Sequence, residues 1–99
     1  MVVYISGGIT GVENYGKAFE RAEEELKAAG HTVINPAGFA EHLPQLTWEG
    51  YLTVDIALLS VCEAIYMLNG WKNSRGANRE YGYALAKGIK IIMEEDGKI

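Results

Sequence analysis

Cysteine, histidine and positive charge are all in short supply in this chain, and each shortage excludes something. The one cysteine among 99 residues, Cys62, forbids an internal disulfide and rules out a cysteine-rich zinc site, which suits a reducing cytoplasm. Two histidines, His31 and His42, are too few for a metal cluster and have no partners at ligand spacing, so no metal and no cofactor is expected. Lysine and arginine number 9 against 13 acidic residues, for a formal charge of −4. The lysines are scattered, which argues against a nucleic-acid polymer as partner while leaving a single nucleotide open. No apolar run approaches the roughly 20 residues that span a bilayer, and no basic segment precedes an apolar one. A soluble, unprocessed, cytoplasmic protein without membrane contact is the expectation. Repeats, linkers and low-complexity segments are absent too. A chain of this length makes one domain (residues 1–99) with a real core but no separate lid, so a deep pocket is expected to need a second subunit, in a homodimer or higher homo-oligomer.

What is present alternates. Val2 to Ser6 is a short β-branched and aromatic run stopped by Gly7 and Gly8, the signature of a buried parallel strand. After GGITGVENYG, Ala18, Phe19, Ala22, Leu26 and Ala29 recur at helical spacing, with Gly30 as the expected C-cap. His31 to Asn35 forms a second strand that Pro36 ends, and AGFAEHLPQ follows as a loop. Thr47 precedes a helix over Trp48 to Ser60. Glu63 to Asn69 is a third strand. A glycine-rich turn leads to a helix capped by Ser74, with Ala77, Tyr81, Ala84 and Leu85 as its apolar face. Ile89 to Met93 makes a fourth strand. Such alternation implies a doubly wound, flavodoxin- or Rossmann-like α/β sandwich of three layers, its four-stranded parallel sheet in the order 2-1-3-4. The crevice for a ligand then lies between the first and third strands at their carboxyl ends, where GGITG and GWKNSRG face each other.

Two carboxylates occupy unusual places. Glu80 falls in the first or second turn beyond Ser74, where side chains lean back toward the helix start and the positive helix end favours the ionised form of a nucleophile or base. Complementing the helix dipole or pairing with Arg79 are the plainer roles for it. Asp55 lies inside the apolar stripe of Leu52, Ile56 and Leu59, an expensive place for a charge without a task or a partner. It could instead cap a short helix beginning at Ile56. The glycines of GGITG, with Thr10 and Ser74, can make a phosphate nest or serve only as turn residues. Tyr4 in the strand suits core. Trp48, Tyr51 and Trp71 could stack on a base, and a dimer interface would use the same residues.

Three stretches taken together, YISGGITG, Asp55 ahead of LLSVCEAIYML, and SRGANREYGYALAKG, resemble the nucleoside 2-deoxyribosyltransferase-like superfamily. It includes the 2′-deoxynucleoside 5′-phosphate N-hydrolases and compact phage and bacterial members. The resemblance implies that Glu80 attacks the anomeric carbon of a nucleoside, that Asp55 protonates the departing base and that Tyr4 orients Glu80. It further implies that Gly8, Ile9, Thr10 and Gly11 line the sugar's 5′ end together with Ser74 and Gly76. Serine at position 74, where the transferase branch has a carboxylate, favours a 5′-phosphate. The reaction implied is cleavage or transfer at the N-glycosidic bond of a nucleoside or nucleotide. A non-catalytic nucleotide or ADP-ribose sensor is the alternative. Glu63 stands where the superfamily commonly has Asp.

Overall fold

Parallel pairing runs through the whole sheet of the computed structural model, which describes residues 1–9, 14–40 and 42–97. The elements are β1 (Val2–Ser6), α1 (Tyr15–Ala28), β2 (Thr32–Ile34), α2 (Pro36–Ala40), α3 (Trp48–Leu59), β3 (Ala64–Met67), α4 (Arg75–Lys87) and β4 (Lys90–Met93), with single 3-10 turns at Trp71–Asn73 and Glu94–Asp96. The sheet order is β2-β1-β3-β4, as the alternation predicts. In register, Tyr4 stands between Ile34 and Ile65, and Ser6 beside Met67.

Because strand side chains alternate between faces, the sheet divides the core in two. Val3 and Ile5 of β1 join Ala64 and Tyr66 of β3 against Phe19, Ala22 and Leu26 of α1. Tyr4, Ile65 and Met67 point the other way, against Leu59 of α3 and Ala77 and Ala84 of α4. Strand β1 is wholly interior from Val3 to Ser6.

The helix ends follow their local chemistry. Thr47 caps α3 by accepting from Gly50 N–H at 3.0 Å, and Ser74 caps α4 by accepting from Ala77 N–H at 3.1 Å. At the end of α1, Ala29 takes the cap and Gly30, with φ 94°, follows it. There His31 N–H donates to Leu26 O and Gly30 N–H to Lys27 O, a Schellman motif.

Several expectations are corrected. Residues 36–40 form a helix rather than loop, because Asn35 Oδ1 accepts from Ala37 and Gly38 N–H and Pro36 occupies the first helical position, where its missing N–H costs nothing. Strands β2, β3 and β4 are each shorter than the expected 31–35, 63–69 and 89–93. Leu85 is 57% exposed, off the buried face of α4, whose interior positions are Ala77, Glu80 and Ala84. A carboxylate stands where the apolar pattern suggested only hydrocarbon. His31 Nδ1 lies 3.2 Å from the N-terminal amine. Glu63 accepts from Val2 N–H at 2.9 Å and so closes the start of β1. Cys62 is buried and donates to Leu58 O.

Candidate active site

Winding the chain in opposite senses from β1 and β3 leaves a crevice at their carboxyl ends. Here it is a cavity of about 590 Å³. Its floor is Tyr4, Ile5 and Gly7. One side carries Trp48, Tyr51, Leu52 and Asp55 of α3, and the other carries Asn73, Ser74, Arg75, Gly76, Ala77 and Glu80 around the start of α4. Gly7 is required where it is: a Cβ there would lie 2.8 Å from Leu68 Cδ1, so any side chain would push the loop off β3.

Glu80 is the sixth residue of α4 and only 5% exposed. Both its oxygens are occupied from the strand beneath: Tyr4 donates its hydroxyl to Oε2 at 2.5 Å, and Ser6 donates its Oγ–H to Oε1 at 2.7 Å. Residues 4 and 6 share one face of β1, so the strand's two-residue repeat presents two hydroxyls side by side to one carboxyl group. Burial pushes Glu80 up to about 7, while the bonds from Tyr4 and Ser6 pull it back and the charge of Asp55 adds to the rise. Burial, then the neighbouring Glu80 and Asp55 charges, drive the Tyr4 phenol far above its ordinary range, so it remains a donor at any working pH.

Asp55 sits inside α3 and not at a helix start, which excludes the capping role. Half-buried, it is pushed up to about 6 by desolvation, with no hydrogen bond from the described residues to offset the rise. The cavity therefore holds two carboxyls of contrasting character. One has two O–H donors and the other has none. Such a pair can divide the work of a nucleophile or base and an acid near neutral pH. Arg79 is not the partner of Glu80. Its guanidinium lies 5.1 Å from the Trp48 ring centre, and that of Arg75 lies 4.3 Å from it, so two cations from α4 meet one indole from α3 at the cavity.

Of the residues singled out from sequence, the structure gathers Tyr4, Ile9, Trp48, Tyr51, Asp55, Ser74, Gly76 and Glu80 around the one cavity. Gly8 is half-buried and is not part of the wall. Thr10 and Gly11 lie outside the described residues. Trp71 is placed elsewhere: it is buried in the second core and packs on Tyr81 with ring centres 4.6 Å apart, because the 3-10 turn after Gly70 folds it back over α4. It is neither a stacking platform nor part of a surface patch. Ser6 is the residue that sequence reasoning passed over. The signal was its place two residues after Tyr4 on a strand otherwise apolar. Among the described residues no cluster of three His, Cys, Asp or Glu side chains could hold a metal, and no helix is long and apolar enough to cross a membrane.

The parallel 2-1-3-4 sheet with its crevice at the strand switch point defines a deoxyribosyltransferase-like α/β fold. It is similar to the structure of a 2-deoxyribosyltransferase from the psychrotolerant bacterium Bacillus psychrosaccharolyticus, with a TM-score of 0.72, 19% identity, and coverage of 94% of this chain and 71% of that one. The chain belongs to the family described as Domain of unknown function (DUF4406), whose model matches residues 1–93. None of the curated proteins matches it.

Proposed function

We propose that the protein cleaves or transfers the N-glycosidic bond of a nucleoside 5′-phosphate, with Glu80 as nucleophile and Asp55 as acid. The observation that carries this reading is the buried Glu80 carboxyl, held by Tyr4 and Ser6 in a cavity that also contains an undonated Asp55. The likeness of fold to a 2-deoxyribosyltransferase supports it.

In the first step an oxygen of ionised Glu80 attacks the anomeric carbon. The bond from that carbon to the base nitrogen breaks, its electron pair leaves with the base, and the proton of Asp55 neutralises the base as it departs. The product is a glycosyl ester of Glu80. In the second step water or another base attacks the same carbon, the ester bond breaks, and Asp55 takes up the incoming proton. Burial raises both carboxyls, Asp55 to about 6 and Glu80 to about 7, so the reacting form, with the one proton on Asp55, is the less populated of the two one-proton states and is reached by proton transfer from Glu80.

The substrate's 5′-phosphate is assigned to the start of α4. Ser74 Oγ accepts from Ala77 N–H and still has its own hydrogen to donate. Gly76 leaves that helix start open, since a Cβ there would stand 3.9 Å from the Ser74 hydroxyl. Glu80 follows Ser74 by six steps of the helix, about 9 Å along the axis, a spacing that a sugar with its 5′-phosphate can bridge. Arg75 adds a cation to the same end. Trp48 and Tyr51, aromatic side chains that also line the cavity, would take the base.

Incubating the purified protein with a panel of deoxynucleoside and ribonucleoside 5′-phosphates and following free base by chromatography tests this. Release by wild type, abolished in Glu80→Ala, is expected. If the whole panel yields none, or if Glu80→Ala releases base as fast as wild type, the reading is wrong.

A further inference from the structure

Two carboxyls in one cavity can act as nucleophile and acid only if they hold opposite protonation states, and burial by itself drives both the same way. Asp55, on α3, is the charged group facing Glu80, and each anion raises the cost of the other. On Glu80's own helix, Arg75 and Arg79 are turned to Trp48. The groups that favour ionised Glu80 are therefore uncharged donors, and both of those lie on β1.

Tyr4 and Ser6 differ in what else they do. The Tyr4 ring fills the core. Ser6 contributes almost no hydrocarbon, is 1% exposed, and has Glu80 as its side-chain partner among the described residues. An alanine would fit the same strand position without burying a hydroxyl. The backbone of the serine is anchored: Leu68 N–H donates to its carbonyl at 2.8 Å, and a Cβ on the next residue, Gly7, would meet Leu68.

We propose that Ser6 is a positioning residue that, by donating to Oε1 while Tyr4 donates to Oε2, holds the Glu80 carboxylate in one plane and raises the share of molecules in which Glu80 is ionised. This rests on the reading of Glu80 as nucleophile. A hydroxyl donor stabilises a carboxylate more than a carboxylic acid, so the Ser6 bond favours proton loss from Glu80 specifically. Loss of the donor hands the proton to Glu80 and silences it at the acid end of the working range. The Ser6 bond thus sets the lower pH limit of the reaction.

The test is the Ser6→Ala variant, with the Glu80 carboxyl followed by carbon NMR of glutamate-labelled protein and assigned by its loss in Glu80→Gln. The Glu80 titration midpoint is expected to move up by about one pH unit. Base release then falls about tenfold at pH 6 but under twofold at pH 8, with little change in KM. Ser6→Thr, which keeps the hydroxyl, should restore the midpoint. A uniform loss of rate at all pH values with an unmoved midpoint overturns the proposal. An unmoved midpoint in active protein removes the Ser6 role and leaves the proposed reaction standing. A moved midpoint in a protein that releases no base supports the effect of Ser6 on Glu80 and removes the reaction.

Discussion

Replacing Glu80 by glutamine should make the protein more stable at pH 8 while removing the proposed nucleophile. Glu80 is buried, and its folded value of about 7 lies well above the ordinary 4.5. Between those two values the folded chain holds a proton that the unfolded chain has lost, so stability is fully present below pH 4.5 and declines as the pH rises through 7. At about 1.4 kcal/mol for each pH unit of that gap, the loss is on the order of 3 kcal/mol. Asp55, raised from 3.8 to about 6, acts in the same direction but more weakly because it is partly open to water. Glu23, held low chiefly by its hydrogen bond from Lys27, acts oppositely but only below pH 4.5, outside the range compared. The glutamine amide of the variant matches the carboxyl in shape, can accept from one of the two hydroxyls and donate to the other, and never ionises. Thermal and urea melts of wild type and Glu80→Gln at pH 5 and pH 8 report the difference. Near pH 5 the two should differ little. At pH 8 the variant should gain up to about 3 kcal/mol, on the order of 10 °C in Tm for a domain of this size. A wild type as stable at pH 8 as at pH 5, with a variant no more stable at either, would refute the claim that Glu80 carries a buried charge.

Asp55→Asn should lower base release by about 10²- to 10⁴-fold, the range for loss of a general acid, and by much less with a substrate whose leaving group needs no proton; equal loss on both substrates would remove the acid role. Gly7→Ala should cost about 1–3 kcal/mol in a urea melt, because the added carbon meets Leu68; a neutral result would mean that the loop moves away freely. Trp48→Ala should raise KM for nucleotides about tenfold with kcat less affected, as expected from loss of a stacking surface worth about 1–3 kcal/mol; an unchanged KM would move the base elsewhere.

Much of this architecture is written locally, and so it is legible without a structure. The β-branched run stopped by Gly7, the caps at Thr47 and Ser74, and the alternation of periods two and 3.6 each follow from short-range chemistry, and together they determine the sheet order. Asp55 is visible because a charge in an apolar stripe violates the pattern around it. What escapes depends on contacts distant in sequence. Ser6 lies 74 residues from the oxygen it serves, and at the end of an apolar strand it looks like a turn residue. Trp71 looks like a loop aromatic from its neighbours in the chain, but a single 3-10 turn carries it onto Tyr81. The helix at Pro36 is hidden by the habit of treating proline as a terminator, although Asn followed by Pro is also how a helix begins.

The pleat of β1 has one more consequence, for how this site can be lost. Tyr4 and Ser6 meet Glu80 because they occupy even positions, and Val3 and Ile5 fill the opposite face. A one-step slide of β1 along its neighbours could keep its backbone ladder with both. Every side chain would then change sides, leaving two aliphatic groups against a bare carboxyl and two hydroxyls against the α1 core. The site is thus guarded by parity: a frame of one residue separates a supported carboxylate from an orphaned one.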